Sequence, residues 1–243
     1  MDRSKWENKV LLGDCVEVLK DCPDGTFDLI VTDVPYNTGM TGKKDVPSSR
    51  VRLGRMFNDN YEQDEYDRLV AEWSRLMYRV LRDDAACYVY INWKQLGLWL
   101  ACLESAGFAA KNVIVWDKIV HGLNYQNYAY VYELIIYVVK GKFTPNNKEN
   151  YDAGFWKDIW HLQRQAAGTE YDGLYHATEK YLPVVEIPVL HGSKPGELVL
   201  DLFGGSGTTA VAARNLNRHY CLIEKVPEYV RLAELRLLQG TLI

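Results

Sequence analysis

The chain contains no run of roughly 18 apolar residues, the length a membrane-crossing helix needs. Its opening residues Met1-Asp2-Arg3-Ser4-Lys5-Trp6 lack the apolar core of a signal peptide, so a cytoplasmic location without membrane contact is expected. Cysteine is sparse. Cys15, Cys22, Cys87, Cys102 and Cys221 show no C-x-x-C spacing and three lie in apolar runs, which predicts buried, reduced thiols. His121, His161, His176, His191 and His219 are equally scattered, without H-E-x-x-H spacing, and no metal is expected. Positive charge is not in excess: the net charge is −4, which argues against a protein that coats nucleic acid without selectivity.

What is present centres on Val199-Leu200-Asp201-Leu202-Phe203-Gly204-Gly205-Ser206-Gly207-Thr208-Thr209-Ala210, an apolar run ending on an acid, then glycines, then a helix-forming segment. It reads as strand, tight turn and helix, with free helix N–H groups facing whatever lies above the strand end. The next apolar run, His219 to Ile223, ends in Glu224, about 20 residues after the first glycine, where a carboxylate can accept hydrogen bonds from a ribose diol. A nucleotide-like ligand is expected there. Gly205-Ser206-Gly207-Thr208-Thr209-Ala210 also fits the relaxed dinucleotide fingerprint G-x-G-x-x-A, so the turn alone names no cofactor and a dehydrogenase stays open. Little sequence follows Gly207, however, and a dinucleotide half-fold usually opens its chain.

At 243 residues the chain suits one α/β domain. Strands are expected at 9–12, 27–32, 85–91, 112–116 and 130–139, alternating with helices at 15–20, 61–81 and 95–105. Apolar residues at Tyr66, Leu69, Val70, Trp73, Leu76, Met77 and Val80 give the second helix one buried face, with Trp73 in the core. Residues 38–60 lack periodicity and are expected to form a mobile surface loop. Lys43, Lys44, Arg50, Arg52 and Arg55 against Asp45 alone leave segment 43–55 with four net positive charges, read either as a phosphate-binding cluster or as a solvated loop. Residues 141–175 read as a small insert in which Phe155, Trp156 and Trp160 either bind or fold back onto the sheet. An irregular helix from Tyr181 to Leu190, interrupted by Pro183 and Pro188, leads into the glycine-turn strand, and a helix from Pro227 to Leu238 follows the last strand.

The second centre is Asp33-Val34-Pro35-Tyr36 at the end of the second strand. A carboxylate, a backbone carbonyl before a proline and an aromatic face can together hold a planar, amino-bearing base; a simple turn is the alternative reading. Together with this motif, the chain resembles the amino-group DNA methyltransferases that use S-adenosyl-L-methionine, in their permuted arrangement. Thr32-Asp33-Val34-Pro35-Tyr36-Asn37 is similar to the D-P-P-Y motif. Asp201 through Thr209 resembles D-x-F-x-G-S-G-T-T, and His176-Ala177-Thr178-Glu179-Lys180 resembles H-P-T-x-K. Val34 stands where that motif has its first proline, and Ala177 and Tyr181 replace two others.

The resemblance implies a single Rossmann-like methyltransferase domain over 1–243, with a mostly parallel sheet and the cofactor strand late in the chain. It also implies that Asp33, Val34, Pro35 and Tyr36 are catalytic, that Phe203, Gly204, Gly205, Gly207 and Thr208 wrap the cofactor, and that Asp201 lies near its methionine amino group. Glu224 would take the ribose hydroxyls. Asp14 and Cys15, in a G-D motif, would take the adenine end, with Thr178 and Lys180 as further cofactor residues. The 141–175 insert occupies the target-recognition position; being short, it would share sequence reading with the 38–60 loop or with a second subunit in a homodimer. The implied activity is methylation of adenine N6 in double-stranded DNA, as in restriction-modification, by direct displacement on a flipped base. Relatives acting on cytosine N4 commonly carry Ser where this chain has Asp33. Cytosine-N4 methylation, RNA or protein amino methylation, and a catalytically weak DNA-binding relative are the other readings.

Overall fold

The computed structural model describes residues 3–38, 60–119, 128–146, 157–163, 170–171, 174–175 and 180–239. Its strands are β1 (Lys9–Leu12), β2 (Phe27–Asp33), β3 (Leu81–Ile91), β4 (Ala109–Asp117), β5 (Tyr132–Lys140), β6 (Ile159–His161), β7 (Glu170–Tyr171), β8 (Leu174–Tyr175), β9 (Leu198–Asp201) and β10 (His219–Glu224). The helices are α1 (Cys15–Leu19), α2 (Gln63–Val80), α3 (Leu96–Ala106), α4 (Leu182–Gly192), α5 (Thr208–Asn215) and α6 (Pro227–Gln239). Eight strands form one sheet in the order β1-β10-β9-β2-β3-β5-β4-β6, while β7 and β8 pair separately. Only β5 runs antiparallel to its neighbours in that sheet.

Both faces of the sheet are covered, which is why its central strands are almost continuously apolar. Alternation along β2 and β9 divides the core. Ile30 and Leu200 face α1, α2 and α3, joining Leu19, Tyr66, Trp73, Trp99 and Leu103. Leu29, Val31 and Val199 face the opposite layer, with Val184 and Val185 of α4 and Ala212 and Ala213 of α5. α6 completes that side by placing Ala233 and Leu237 on Leu222 and Ala210.

α2 follows its expected apolar stripe, burying Tyr66, Val70, Trp73, Met77 and Val80. α3 ends where the sequence indicates, on Gly107 at φ 111°. β3 is longer than expected and begins directly after α2, because buried Leu81 pairs with Phe27 before the polar Arg82, Asp83 and Asp84. The insert differs as well: Ile159–His161 adds a strand beside β4, and Trp160 is buried there, so this part of 141–175 belongs to the sheet. Phe155, Trp156, most of the 38–60 loop with its basic cluster, and His176 through Glu179 lie outside the described residues.

Trp73 stacks on Trp99 at 6.2 Å between centroids and meets Phe203 edge-on at 4.9 Å, coupling α2 and α3 to the glycine turn. Trp73→Ala is expected to cost about 3–5 kcal/mol of folding stability, read from the midpoint of urea denaturation, because little else can fill an indole-sized cavity.

Candidate active site

The chemistry-bearing residues converge at the carboxyl ends of four adjacent parallel strands. Asp14 follows β1, Glu224 ends β10, Gly204 to Gly207 follow β9, and Asp33 ends β2. From the β9–β2 junction the chain winds outward in both directions, through α5 to β10 and through α2 to β3. Such a switch point leaves a crevice above the strand ends.

The glycine-turn half is fastened from below. Gly207 caps α5 at φ 83°, and a Cβ there would lie 2.8 Å from the Ala233 Cβ, so close packing on α6 and a left-handed backbone both require glycine. Arg236 of α6 donates to the Ser206 carbonyl at 2.7 Å and to the Thr208 hydroxyl at 3.1 Å, which turns Thr208 inward. Glu224 accepts from the Gly205 N–H and from the Val226 N–H, each at 2.8 Å. Burial pushes its carboxyl above the ordinary glutamate range, against those backbone bonds. A carboxylate has about four acceptor positions, so these backbone bonds do not exhaust it. Asp14 caps α1 by accepting from the Val16 N–H at 2.9 Å, two residues past Leu12, which pairs with Glu224 in the sheet. Cys15 is buried, which pushes its thiol up to about 12, so it contributes packing and backbone only.

Asp201 also links three elements beneath the crevice. Its buried carboxylate accepts from the Thr32 hydroxyl at 2.8 Å, the Thr209 hydroxyl at 2.7 Å and the Phe203 N–H at 3.1 Å, tying β2, α5 and the glycine turn together. Burial raises the carboxyl to about 6 despite these donors.

The Asp33 to Tyr36 loop is held on several sides. The Tyr66 hydroxyl of α2 donates to the Pro35 carbonyl at 2.5 Å and accepts from the Trp99 indole at 3.1 Å; Asn92 donates to the Tyr36 carbonyl at 3.2 Å. Asn37, at φ 50°, accepts from the Tyr61 N–H at 2.8 Å. Val34 is buried where the motif has proline. Asp33 Oδ1 accepts from the Tyr36 hydroxyl at 2.7 Å and pairs with Lys180 at 3.1 Å, while the side chain stays 32% exposed.

Lys180, carried over as a cofactor residue, directs its three N–H groups at Asp33, at the Tyr36 hydroxyl 2.8 Å away, and at Glu133. The ammonium lies 5.1 Å from the Tyr36 ring centroid, nearer the hydroxyl rim than the ring face. Thr178 lies outside the described residues. Glu133 is the second residue of β5 and also pairs with Lys118 at 2.7 Å. Sequence reading missed this acid; its one signal is a carboxylate at the head of an otherwise apolar strand. It also missed Tyr66, Asn92 and Arg236, which act through hydrogen bonds to distant segments from positions that read as ordinary helix or turn. Among the described residues no group of three or more His, Cys, Asp or Glu side chains could hold a metal ion.

A parallel-sheet crevice with a glycine turn, an acid at the next strand end and a polar loop across the switch point defines a Rossmann-like methyltransferase fold. The chain belongs to the N6/N4 amino-methyltransferase family of DNA methylases, whose model matches residues 27–235. It is 28% identical over 247 residues to the type II methyltransferase M.HinfI of Haemophilus influenzae, covering 95% of this chain and 68% of that one. Among solved structures it resembles the M1.HpyAVI complex with S-adenosylmethionine (TM-score 0.70, 23% identity, 94% of this chain and 98% of that one). It also resembles the PvuII cytosine-N4-specific DNA methyltransferase (TM-score 0.75, 17% identity, 95% and 86%). As a member of this family it uses S-adenosyl-L-methionine.

A carboxyl that titrates near 6 when folded, against an ordinary 3.8, contributes stability below the ordinary value that is lost as pH rises through the folded one. Asp201→Asn is therefore expected to flatten the dependence of unfolding free energy on pH between about 4 and 6, a change of about 3 kcal/mol, followed by denaturation at a series of pH values.

Proposed function

We propose that this protein transfers a methyl group to the exocyclic N6 of adenine in double-stranded DNA, on a base turned out of the duplex. The observation that carries the reading is the partly exposed Asp33 carboxylate, whose Oδ1 is engaged by Tyr36 and Lys180, at the strand end beside the glycine turn.

S-Adenosyl-L-methionine, when bound, supplies an electrophilic methyl group. The residues around the turn fit it. Glu224 takes the ribose hydroxyls, Asp14 faces the adenine end, and Phe203, Gly204, Gly205 and Gly207 line the path between them. Asp33 and the Val34 carbonyl accept the hydrogens of the amine, so that its nitrogen lone pair faces the methyl donor; the Pro35 and Tyr36 carbonyls are already engaged by Tyr66 and Asn92. As the nitrogen–carbon bond forms, the sulfur–carbon bond of the donor would break to leave a neutral thioether, and the methylated amine, positively charged at that point, would then lose one proton toward the Asp33 side. Tyr36 stacks on the base, a contact worth about 1–3 kcal/mol, while its hydroxyl holds Asp33.

Adenine rather than cytosine rests on Asp33, since cytosine-N4 relatives commonly carry Ser there. Double-stranded DNA as partner is supported by exposed apolar groups at the same edge of the sheet: Trp93 after β3, Ile119 after β4, and Tyr128, Tyr130 and Tyr132 leading into β5. Lys43, Lys44, Arg50, Arg52 and Arg55 would bind phosphates, and a second subunit would share sequence reading. The M.HinfI likeness supports a place in restriction-modification. No helix among the described residues is long and apolar enough to cross a membrane, in keeping with a cytoplasmic enzyme.

Asp33→Ala is expected to lower methyl transfer at least a hundredfold while keeping calorimetric affinity for S-adenosylmethionine. Gly207→Val should lose that affinity, because its Cβ collides with Ala233. Equal loss of cofactor in both would refute separate centres. Mass spectrometry of nucleosides from treated duplex DNA identifies the base, N6-methyladenine being expected; N4-methylcytosine alone would overturn the adenine assignment.

A further inference from the structure

At the active-site edge of the sheet, Lys118 and Lys180 bracket Glu133, and Lys180 alone reaches Asp33. The four ionised side chains sum to zero. All are shielded, with side-chain exposures of 13% for Lys118, 10% for Lys180 and 18% for Glu133 against 32% for Asp33. The arrangement is built by the fold. The Lys118 N–H donates to the Val131 carbonyl at 2.9 Å, extending the β4–β5 ladder, and Trp116 pairs directly with Glu133. The Tyr90 hydroxyl of β3 donates to the Val184 carbonyl at 2.8 Å, fastening the first turn of α4 and with it Lys180 over the end of β2.

We propose that Glu133 is a positioning residue for methyl transfer, holding Lys180 in place and offsetting its charge so that Asp33 presents an uncancelled anion to the reacting amine. The assignment rests on the methyltransferase reading above, in which the amine nitrogen gains positive charge as it accepts the methyl. An ammonium 3.1 Å from the Asp33 carboxylate would by itself oppose that charge. Glu133, in contact with the same ammonium, draws it the other way, and Lys118 keeps Glu133 ionised.

The titration behaviour agrees. Burial pushes the Asp33 carboxyl up, Lys180 pulls it down and Glu133 pushes it up again. Burial works against Glu133, but Lys180 and Lys118 hold its carboxyl at about 2. Lys180 stays above the ordinary lysine range because Asp33 and Glu133 outweigh its burial. The other titratable groups facing Asp33 are Tyr36 of its own loop, Tyr90 of β3 and Asp201 of β9. Burial raises all three, so Tyr36 and Tyr90 stay neutral through the range that concerns Asp33.

The test is a carbon-13 titration of the Asp33 carboxyl in the cofactor-free protein, assigned by its loss in Asp33→Asn, beside the pH profile of single-turnover DNA methylation. Glu133→Gln is expected to move the Asp33 midpoint and the acid limb of the rate profile down by roughly one pH unit, and Lys180→Gln to move both up. A purely structural Glu133 would lower the rate without opposite displacements, and an unmoved or raised Asp33 midpoint in folded Glu133→Gln overturns the proposal. Should that variant not fold, Lys118→Gln, which removes an ammonium touching Glu133 but not Asp33, must raise the Asp33 midpoint; no movement is equally fatal. Absence of methylation by the unmodified protein would count against the function proposed above, while the carboxyl titration would still read the coupling.

Discussion

The buried carboxylate of Asp201 is the point on which the two halves of the crevice depend. An uncompensated carboxylate in that position would carry a desolvation cost of several kcal/mol, and three donors from three separate elements offset it. Because one of those donors is Thr32, the residue before Asp33, the separation between the glycine turn and the Asp33 loop is set by side-chain hydrogen bonds of 2.7 and 2.8 Å instead of by loop length. The aromatic chain from Trp99 through Trp73 to Phe203 fixes the same separation from the helical layer.

Around this point the site is made of rigid parts. The Pro35 and Tyr36 carbonyls are each held from a helix or strand end, and the tyrosine ring is held through its hydroxyl. Val34 thus enters a loop whose path is already determined on both sides. A proline at 34 would stiffen the backbone, and here hydrogen bonds from Tyr66, Asn92 and Tyr61 restrain it instead. The charged groups follow the same logic, since each lysine that approaches the loop is paired with an acid in the same shielded region.

Much of this was legible in the sequence, for physical reasons that can be named. Strands buried on both faces announce themselves as apolar runs, and the stripe of α2 is a 3.6-residue repeat, so the sheet and its covering helices could be read directly. The glycine turn and the Asp33 loop were legible because backbone conformation and chemistry each demand particular residue types at close spacing. Glu133 and Lys118 were not, because they meet Lys180 only after three distant segments come together. Asp201 was found, but its internal partners were not, since the sequence cannot show that Thr32 and Thr209 turn their hydroxyls toward it. β6 was hidden by its brevity: three residues carry no periodicity.

The pairing of β1 with β10 bears on how the protein is made. Lys9 lies beside Cys221 in the sheet, so β1 leaves the ribosome long before the strand it pairs with. At ordinary synthesis rates β1 is without that neighbour for roughly 10–40 s, while β2 and β3, much closer in the chain, can associate early. The β2–β3 pair can therefore form before β10 is made, whereas the β1–β10 pair cannot. Cells meet the nascent chain first as an unfinished sheet whose β2 edge, later covered by β9, is open to chaperones.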